Sequence, residues 1–148
     1  MAKCVAIDTN VIVAAHLSWH ENHDAALASL EKALETGALS VSVNTLLEAY
    51  AVMTRLPSPH RLQPRDAYTL LYNTFFKAAE INWLEEEELW RLLDSLQNRK
   101  FAGGKCYDAY ILACAVKGKA GSFLTFNKRD FEALLSEDEI EIREPSAP

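Results

Sequence analysis

The chain is expected to fold as an α/β protein, a parallel sheet with right-handed crossovers and helices on both faces. Two observations carry this. Segments of strand character alternate with segments of helical spacing from one end of the sequence to the other. The strand segments are short and apolar, as strands buried in such a sheet are. No repeat, low-complexity tract or linker interrupts the alternation. The 148 residues are therefore expected to form one domain, 1–148, large enough to bury a core.

Lys3 to Asp8 is the first strand, and its run Val5-Ala6-Ile7 ends on a carboxylate. The polar stretch that follows carries His16, His20 and His23 and shows no clear helix. Glu21 to Thr36 is an amphipathic helix, with Leu27, Leu30 and Leu34 on one face and Gly37 as its stop. Leu39 to Val43 is the second strand. Asn44 can cap the next helix, on which Leu47, Tyr50, Ala51 and Thr54 recur at helical spacing. Leu56 to His60 holds two prolines and reads as a loop. Pro64 to Lys77 is a helix rich in aromatics, and Ala79 to Trp83 a short strand. Glu85 to Gln97 is a helix whose first-turn acids suit its dipole. After the break at Gly103-Gly104, Lys105 to Lys117 is a mostly buried helix. Ser122 to Phe126 is a strand, Arg129 to Leu135 a short helix and Glu139 to Arg143 a last strand. The Pro-bearing tail, 144–148, is expected to be loose.

Composition narrows the function classes. Apolar residues make up 49% and charged residues 24%, as in ordinary soluble proteins. The uncharged run Ala109 to Val116 falls far short of the ~20 residues a membrane span needs. No basic-then-apolar leader opens the chain, so a cytoplasmic location is expected. Cys4, Cys106 and Cys114 form no CxxC or zinc pattern and read as core thiols; no histidine follows Cys106 within its helix to activate it. The net charge of −6 argues against a protein that holds nucleic acid by bulk positive field, without excluding a nuclease. Basic residues nonetheless gather at Arg99, Lys100 and Lys105 and again at Lys117, Lys119, Lys128 and Arg129. They form either a solvated mixed surface or a phosphate-facing rim.

Four carboxylates stand where a charge is costly. Asp8 ends the first strand, Glu48 interrupts the helical stretch Asn44 to Thr54, Asp108 opens the apolar run from Tyr107 to Val116, and Asp130 follows Phe123 to Asn127. A charge at the border of a core needs a partner, and a hard divalent cation serves several carboxylates at once. Ligands of open α/β sheets collect beyond the carboxyl ends of the strands. Asp8, Glu48, Asp108 and the pair Thr125 and Asn127 are all placed to reach that edge. Each acid also has a plainer reading. Asp8 can cap a turn with Thr9-Asn10, Glu48 can be an exposed helix position, and Asp108 can favour its helix dipole. For Asp130 the first-turn dipole role is the better reading.

Val5-Ala-Ile-Asp-Thr-Asn-Val-Ile12, Asn44-Thr-Leu-Leu-Glu-Ala-Tyr50, Tyr107-Asp-Ala-Tyr-Ile-Leu-Ala113 and Phe123-Leu-Thr-Phe-Asn-Lys-Arg-Asp-Phe131 together resemble the successive motifs of PIN domains. Among these they look most like the VapC-type toxin ribonucleases of toxin–antitoxin pairs, over about Lys3 to Ile142. The resemblance implies a three-layer α/β/α fold, an endoribonuclease dependent on Mg²⁺ or Mn²⁺, a homodimer, and an antitoxin that masks the site. Carried onto this sequence, the family's first three acids fall on Asp8, Glu48 and Asp108. Its fourth, two residues after Thr125, is replaced by Asn127. Asp8 and Asp108 are then the direct metal ligands and Glu48 acts through water, while Thr125 and Asn127 orient a metal-held water or a phosphate oxygen. Asn127 brings no charge, which weakens the case for a second tightly held ion.

The four histidines, His16, His20, His23 and His60, lack the HExxH pattern of a zinc site. Those of the first loop are better placed to touch RNA or an antitoxin. Trp19, Trp83, Trp90 and Tyr72 read as core or interface anchors rather than base-stacking platforms. Two other readings stand beside the nuclease. The first is the same fold with a weakened metal site, acting as a regulatory or RNA- or protein-binding module. The second is phosphoryl transfer on a small molecule, which usually needs a second Asp where this chain has Asn10.

Overall fold

The computed structural model of the chain describes residues 4–136 and 140–146. Lys3 and Glu139, the outer ends of two expected strands, and the last two residues of the tail lie outside the described residues.

Among the described residues, five parallel strands form one sheet in the order β3-β2-β1-β4-β5. They are β1 (Val5–Ile7), β2 (Leu39–Ser42), β3 (Glu80–Asn82), β4 (Ser122–Leu124) and β5 (Glu141–Arg143). The helices are α1 (Thr9–His16), α2 (His23–Glu35), α3 (Val43–Thr54), α4 (Pro64–Phe75), α5 (Glu86–Asn98), α6 (Lys105–Lys117) and α7 (Lys128–Glu132). Side chains alternate across each strand. Ile7, Leu39, Val41 and Leu124 therefore face one layer, where they pack with Val11, Ile12, Leu30, Met53 and Phe75 of α1 to α4. Ala6, Phe123 and Ile142 face the other, against Leu96, Ile111, Leu112 and Phe131 of α5 to α7. The fold is thus a three-layer α/β/α sandwich. The chain winds from β1 outward through β2 and β3, then returns past β1 to β4 and β5. That reversal opens a crevice beyond the carboxyl ends of β1 and β4, where such sheets bind ligands.

Most elements lie within about two residues of their sequence limits, since helix and strand ends fray. Two differ in kind. Thr9–His16 is a helix where no clear helix is legible. Six of its eight residues are buried, all from Thr9 to Ala15 except Asn10. A short helix that is apolar nearly all round has no stripe to betray its period. The cap of α3 is Ser42 rather than Asn44: its Oγ accepts from Thr45 N at 3.0 Å.

Several side chains have structural duties. Arg99 donates to the carbonyls of Leu134 and Leu135 at 2.9 and 3.2 Å, closing the chain after α7. Lys117 pairs with Glu88 and donates to the carbonyl of Trp83. Neither is spare for a phosphate rim. Cys114 is buried, and burial pushes its thiol up to about 11, which makes it inert. Trp19, Trp83, Trp90 and Tyr72 are all exposed, which removes the core half of their reading. No helix among the described residues is long and apolar enough to cross a membrane.

Gly118, which ends α6, passes so close to the sheet that a Cβ there would meet Asn82 Nδ2 at 2.7 Å and Ser40 Oγ at 3.1 Å. Those two groups share a buried hydrogen bond of 2.6 Å. Gly118→Ala is expected to lower unfolding free energy by about 1–3 kcal/mol through overpacking, read from urea melts. Wild-type stability in the variant would show that α6 can lift from β2 without cost.

Candidate active site

Asp8 lies where β1 becomes α1. Its backbone N–H donates to the carbonyl of Leu124 at 2.9 Å, extending the pairing of β1 with β4 by one residue. Its side chain caps α1, Oδ1 accepting from Thr9 N at 2.7 Å. The other oxygen, Oδ2, accepts from the Thr125 hydroxyl at 2.7 Å. Thr125 is fully buried, and its Oγ1 also accepts from Asn127 N at 2.9 Å. The N–H of Phe126 donates to Asn10 Oδ1 at 3.3 Å. The ends of the two central strands are thus laced together by the side chains that follow them. Thr125 touches Asp8 rather than the solvent side.

Glu48 comes from the middle of α3 and is exposed. Its Oε2 accepts from the Thr9 hydroxyl at 3.1 Å, which ties α3 to the start of α1. Asp108 stands in the first turn of α6, partly buried. An open cleft of about 220 Å³ is lined by Asp8, Thr9, Asn10, Val13, His20, Glu48, Val52, Asp108 and Asn127. Four of the five residues read from the sequence as the site line this one cleft, and the fifth, Thr125, lies directly beneath Asp8. Asp130 is exposed and does not line it; its charge acts on Asp108 from α7.

The electrostatics follow from this crowding. Burial pushes the Asp8 carboxyl up to about 6. The hydrogen bonds from Thr125 and Thr9 oppose the shift, and the charges of Asp108 and Glu48 add to it. The Asp108 carboxyl is also raised, first by burial and then by Glu48 and Asp130. Among the described residues, no Lys or Arg lines the cleft. Its side chains offer hard oxygen donors of the kind Mg²⁺ and Mn²⁺ take. Among the described residues, no group of three or more His, Cys, Asp or Glu side chains is placed close enough to hold a metal ion by itself. The donor set suits a hydrated ion, since Mg²⁺ keeps several waters and needs only one or two carboxylates.

Sequence reasoning missed Thr9, Asn10, Val13 and Val52 as lining residues, and had His20 only as a loop histidine able to touch RNA or an antitoxin. Thr9 and Asn10 had a signal, a polar pair directly behind a buried strand and next to its terminal acid. Val13 and Val52 had none, because their contribution depends on how α1 and α3 cross.

Fold and cleft together define an α/β protein with an acidic pocket at the switch point of its sheet. The comparisons agree on which one: residues 5–134 match the family model described as PIN domain. The chain belongs to the PIN-domain family, and its kinship is with VapC-type toxins. It is 31% identical over 128 residues to Ribonuclease VapC40 of Mycobacterium tuberculosis, covering 86% of this chain and 90% of the relative. It is 33% identical over 123 residues to Ribonuclease VapC27 of the same species, covering 81% and 82%. In fold it resembles VapC20 of Mycobacterium tuberculosis, described as a sarcin-ricin loop cleaving toxin. The TM-score is 0.70 and the identity 14%, over 90% of this chain and 98% of that one. It also resembles VapBC2 of Rickettsia felis bound to a promoter DNA fragment, with a TM-score of 0.66 and 17% identity over 95% and 98% of the chains.

Proposed function

We propose that this chain is a cytoplasmic endoribonuclease, the toxin of a toxin–antitoxin pair, which hydrolyses RNA phosphodiester bonds with Mg²⁺ or Mn²⁺. One observation carries the reading: Asp8, Glu48 and Asp108, distant in sequence, line one cleft with no Lys or Arg among the described residues to balance them. Burial first, then neighbouring carboxylates, hold two of these carboxyls above their ordinary range: Asp108 and Glu48 act on Asp8, and Glu48 and Asp130 on Asp108. A divalent cation relieves both the burial and the repulsion.

In this reading Asp8 and Asp108 would hold the ion and Glu48 would meet it through water. When bound, the ion polarises the phosphoryl oxygen and eases ionisation of the attacking water. The chain's own residues do the rest. Thr125 and the N–H of Thr9 fix both oxygens of Asp8, so the carboxylate is set before anything binds. Thr9 holds Oε2 of Glu48 and so aims Oε1, which takes the proton of the attacking water. Water attacks phosphorus, the bond to the leaving ribose oxygen breaks, and that oxygen is protonated from solvent. The Asn127 amide orients a water or a phosphate oxygen without adding charge.

A second copy and an antitoxin are the partners proposed with it. The named relatives support the antitoxin. An apolar groove between α3 and α4, lined by Leu46, Tyr50, Tyr68, Tyr72 and Phe76, supports a protein partner.

Glu48→Gln is expected to cut RNA cleavage by about 10²–10⁴ while leaving the fold intact. A labelled RNA pool incubated with Mg²⁺ or Mn²⁺, with EDTA and single-stranded DNA as controls, measures this. Asn127 in place of an acid favours the second reading, a binding module on the same fold. Wild-type protein inert on RNA with either ion would establish that reading and sink the nuclease.

A further inference from the structure

The loop joining α1 to α2, residues 17–22, borders the cleft through His20, which takes no part in the hydrolysis. The three neighbouring histidines are used differently. His16 and His23 each donate from Nδ1 to a backbone carbonyl, that of Ile12 at 2.8 Å and that of Ala14 at 2.9 Å. The first bond lies within α1, and the second fastens the start of α2 to α1. At His20 the direction is reversed: its Nδ1 accepts from the backbone N–H of Asn22 at 3.1 Å. In the neutral ring the proton therefore sits on Nε2. With Nδ1 turned to the loop's own backbone, the donor nitrogen is left for whatever enters the cleft that His20 lines beside Asp8, Glu48 and Asp108.

An anion entering a cleft lined by three carboxylates needs hydrogen-bond donors. Thr9 has given its hydroxyl proton to Glu48. Among the lining side chains this leaves Nε2–H of His20 and the amides of Asn10 and Asn127. The residue before His20 adds a second feature. Trp19 is half exposed and stacks on His60, from the loop after α3, with centroids 4.2 Å apart and planes at 30°. The stack ties two loops together and holds a flat indole open to solvent. Unpaired bases stack on such faces whatever their identity.

Building on the nuclease reading above, we propose that this loop grips single-stranded RNA. His20 donates from Nε2 to a phosphate oxygen in the cleft, and Trp19, backed by His60, receives the adjacent base. The loop supplies affinity that the acidic cleft and the net charge of −6 withhold.

The test uses a fluorescent single-stranded oligoribonucleotide, its binding to the full chain followed by anisotropy in Mg²⁺. Asp108→Asn is the common background, which prevents cleavage. Adding His20→Ala or Trp19→Ala is expected to weaken binding about tenfold each. His20→Gln, which keeps an N–H donor, is expected to recover part of the loss. In the chain with Asp108 intact, both alanine variants are expected to raise KM more than they lower kcat. Unchanged affinity and unchanged KM in both variants, with the wild type cleaving, would overturn this inference alone and point to a protein contact instead. Loss that follows a fall in melting temperature, without recovery in His20→Gln, would assign His20 to the fold and overturn it equally. A wild type that cleaves no RNA sinks the nuclease reading itself.

Discussion

Asp8→Asn is expected to abolish RNA cleavage and, in EDTA at neutral pH, to make the protein more stable than the wild type. The sign follows from where the Asp8 carboxyl titrates. Burial holds it at about 6 in the folded chain, against about 3.9 for an unfolded aspartate. The folded state therefore binds the proton more tightly, and stability falls as pH rises from about 4 through 6. Above that window the ionised carboxylate costs about 2–3 kcal/mol in the absence of metal. Asparagine removes this cost and keeps the architecture. Its Oδ1 still accepts from Thr9 N at the start of α1, and its Nδ2 can donate to Thr125 Oγ1. The melting temperature should rise by about 4–8 °C at pH 7.5, and the difference should vanish near pH 4. Mg²⁺ should reverse the order, because it stabilises only a chain that binds it. Thermal melts of both proteins, with and without Mg²⁺ across this range, measure all of it. A lower melting temperature for Asp8→Asn in EDTA would mean that the carboxylate is satisfied by the fold alone, and no cation would then be called for.

How far the sequence foretells this site depends on the kind of signal each residue carries. Asp8 and Asp108 were legible because each breaks an apolar run, and only a few arrangements make a charge bearable there. The order of strands and helices was legible for a related reason: strands buried on both faces read as short apolar blocks, and α6, apolar and long, could be nothing but a covered helix. α1 was hidden by the same property that betrays a strand, since Val11 to Ala15 are apolar without a gap. What was not legible is direction. Thr125 looks in sequence like a group that meets substrate. The structure turns its hydroxyl to Asp8, because the pairing of Ile7 with Leu124 sets the next residues of both strands side by side. The tautomer of His20 likewise depends on a backbone N–H two residues on, which no pattern of side chains encodes. Register and hydrogen-bond direction belong to the packed chain, and local composition does not carry them.

Asn127→Asp tests the departure from the family pattern. Asn127 lines the cleft with Asp8, Glu48 and Asp108, at the end of the segment that follows β4. A fourth carboxylate there would face charges that the fold already bears at a cost. At separations of ~6 Å and an effective dielectric of ~20, each like-charged neighbour contributes up to about 3 kcal/mol. The exposure of residue 127 reduces the net effect to about 1–2 kcal/mol. Two opposite consequences follow from the same charge. Without metal the variant should melt several degrees lower, and the Asp8 carboxyl should be pushed further up. With metal the added ligand should tighten Mn²⁺ binding about tenfold, so that cleavage reaches half its maximum at a tenth of the wild-type concentration. Titration calorimetry with Mn²⁺ would show whether one ion or two bind, and a second binding step present only in the variant would assign to Asn127 the loss of that ion. An unchanged Mn²⁺ midpoint together with an unchanged melt would place the residue 127 side chain outside the field of the cleft. The shared pocket would then hold three acids by design, and its ion would be held by Asp8 and Asp108 with water completing the shell.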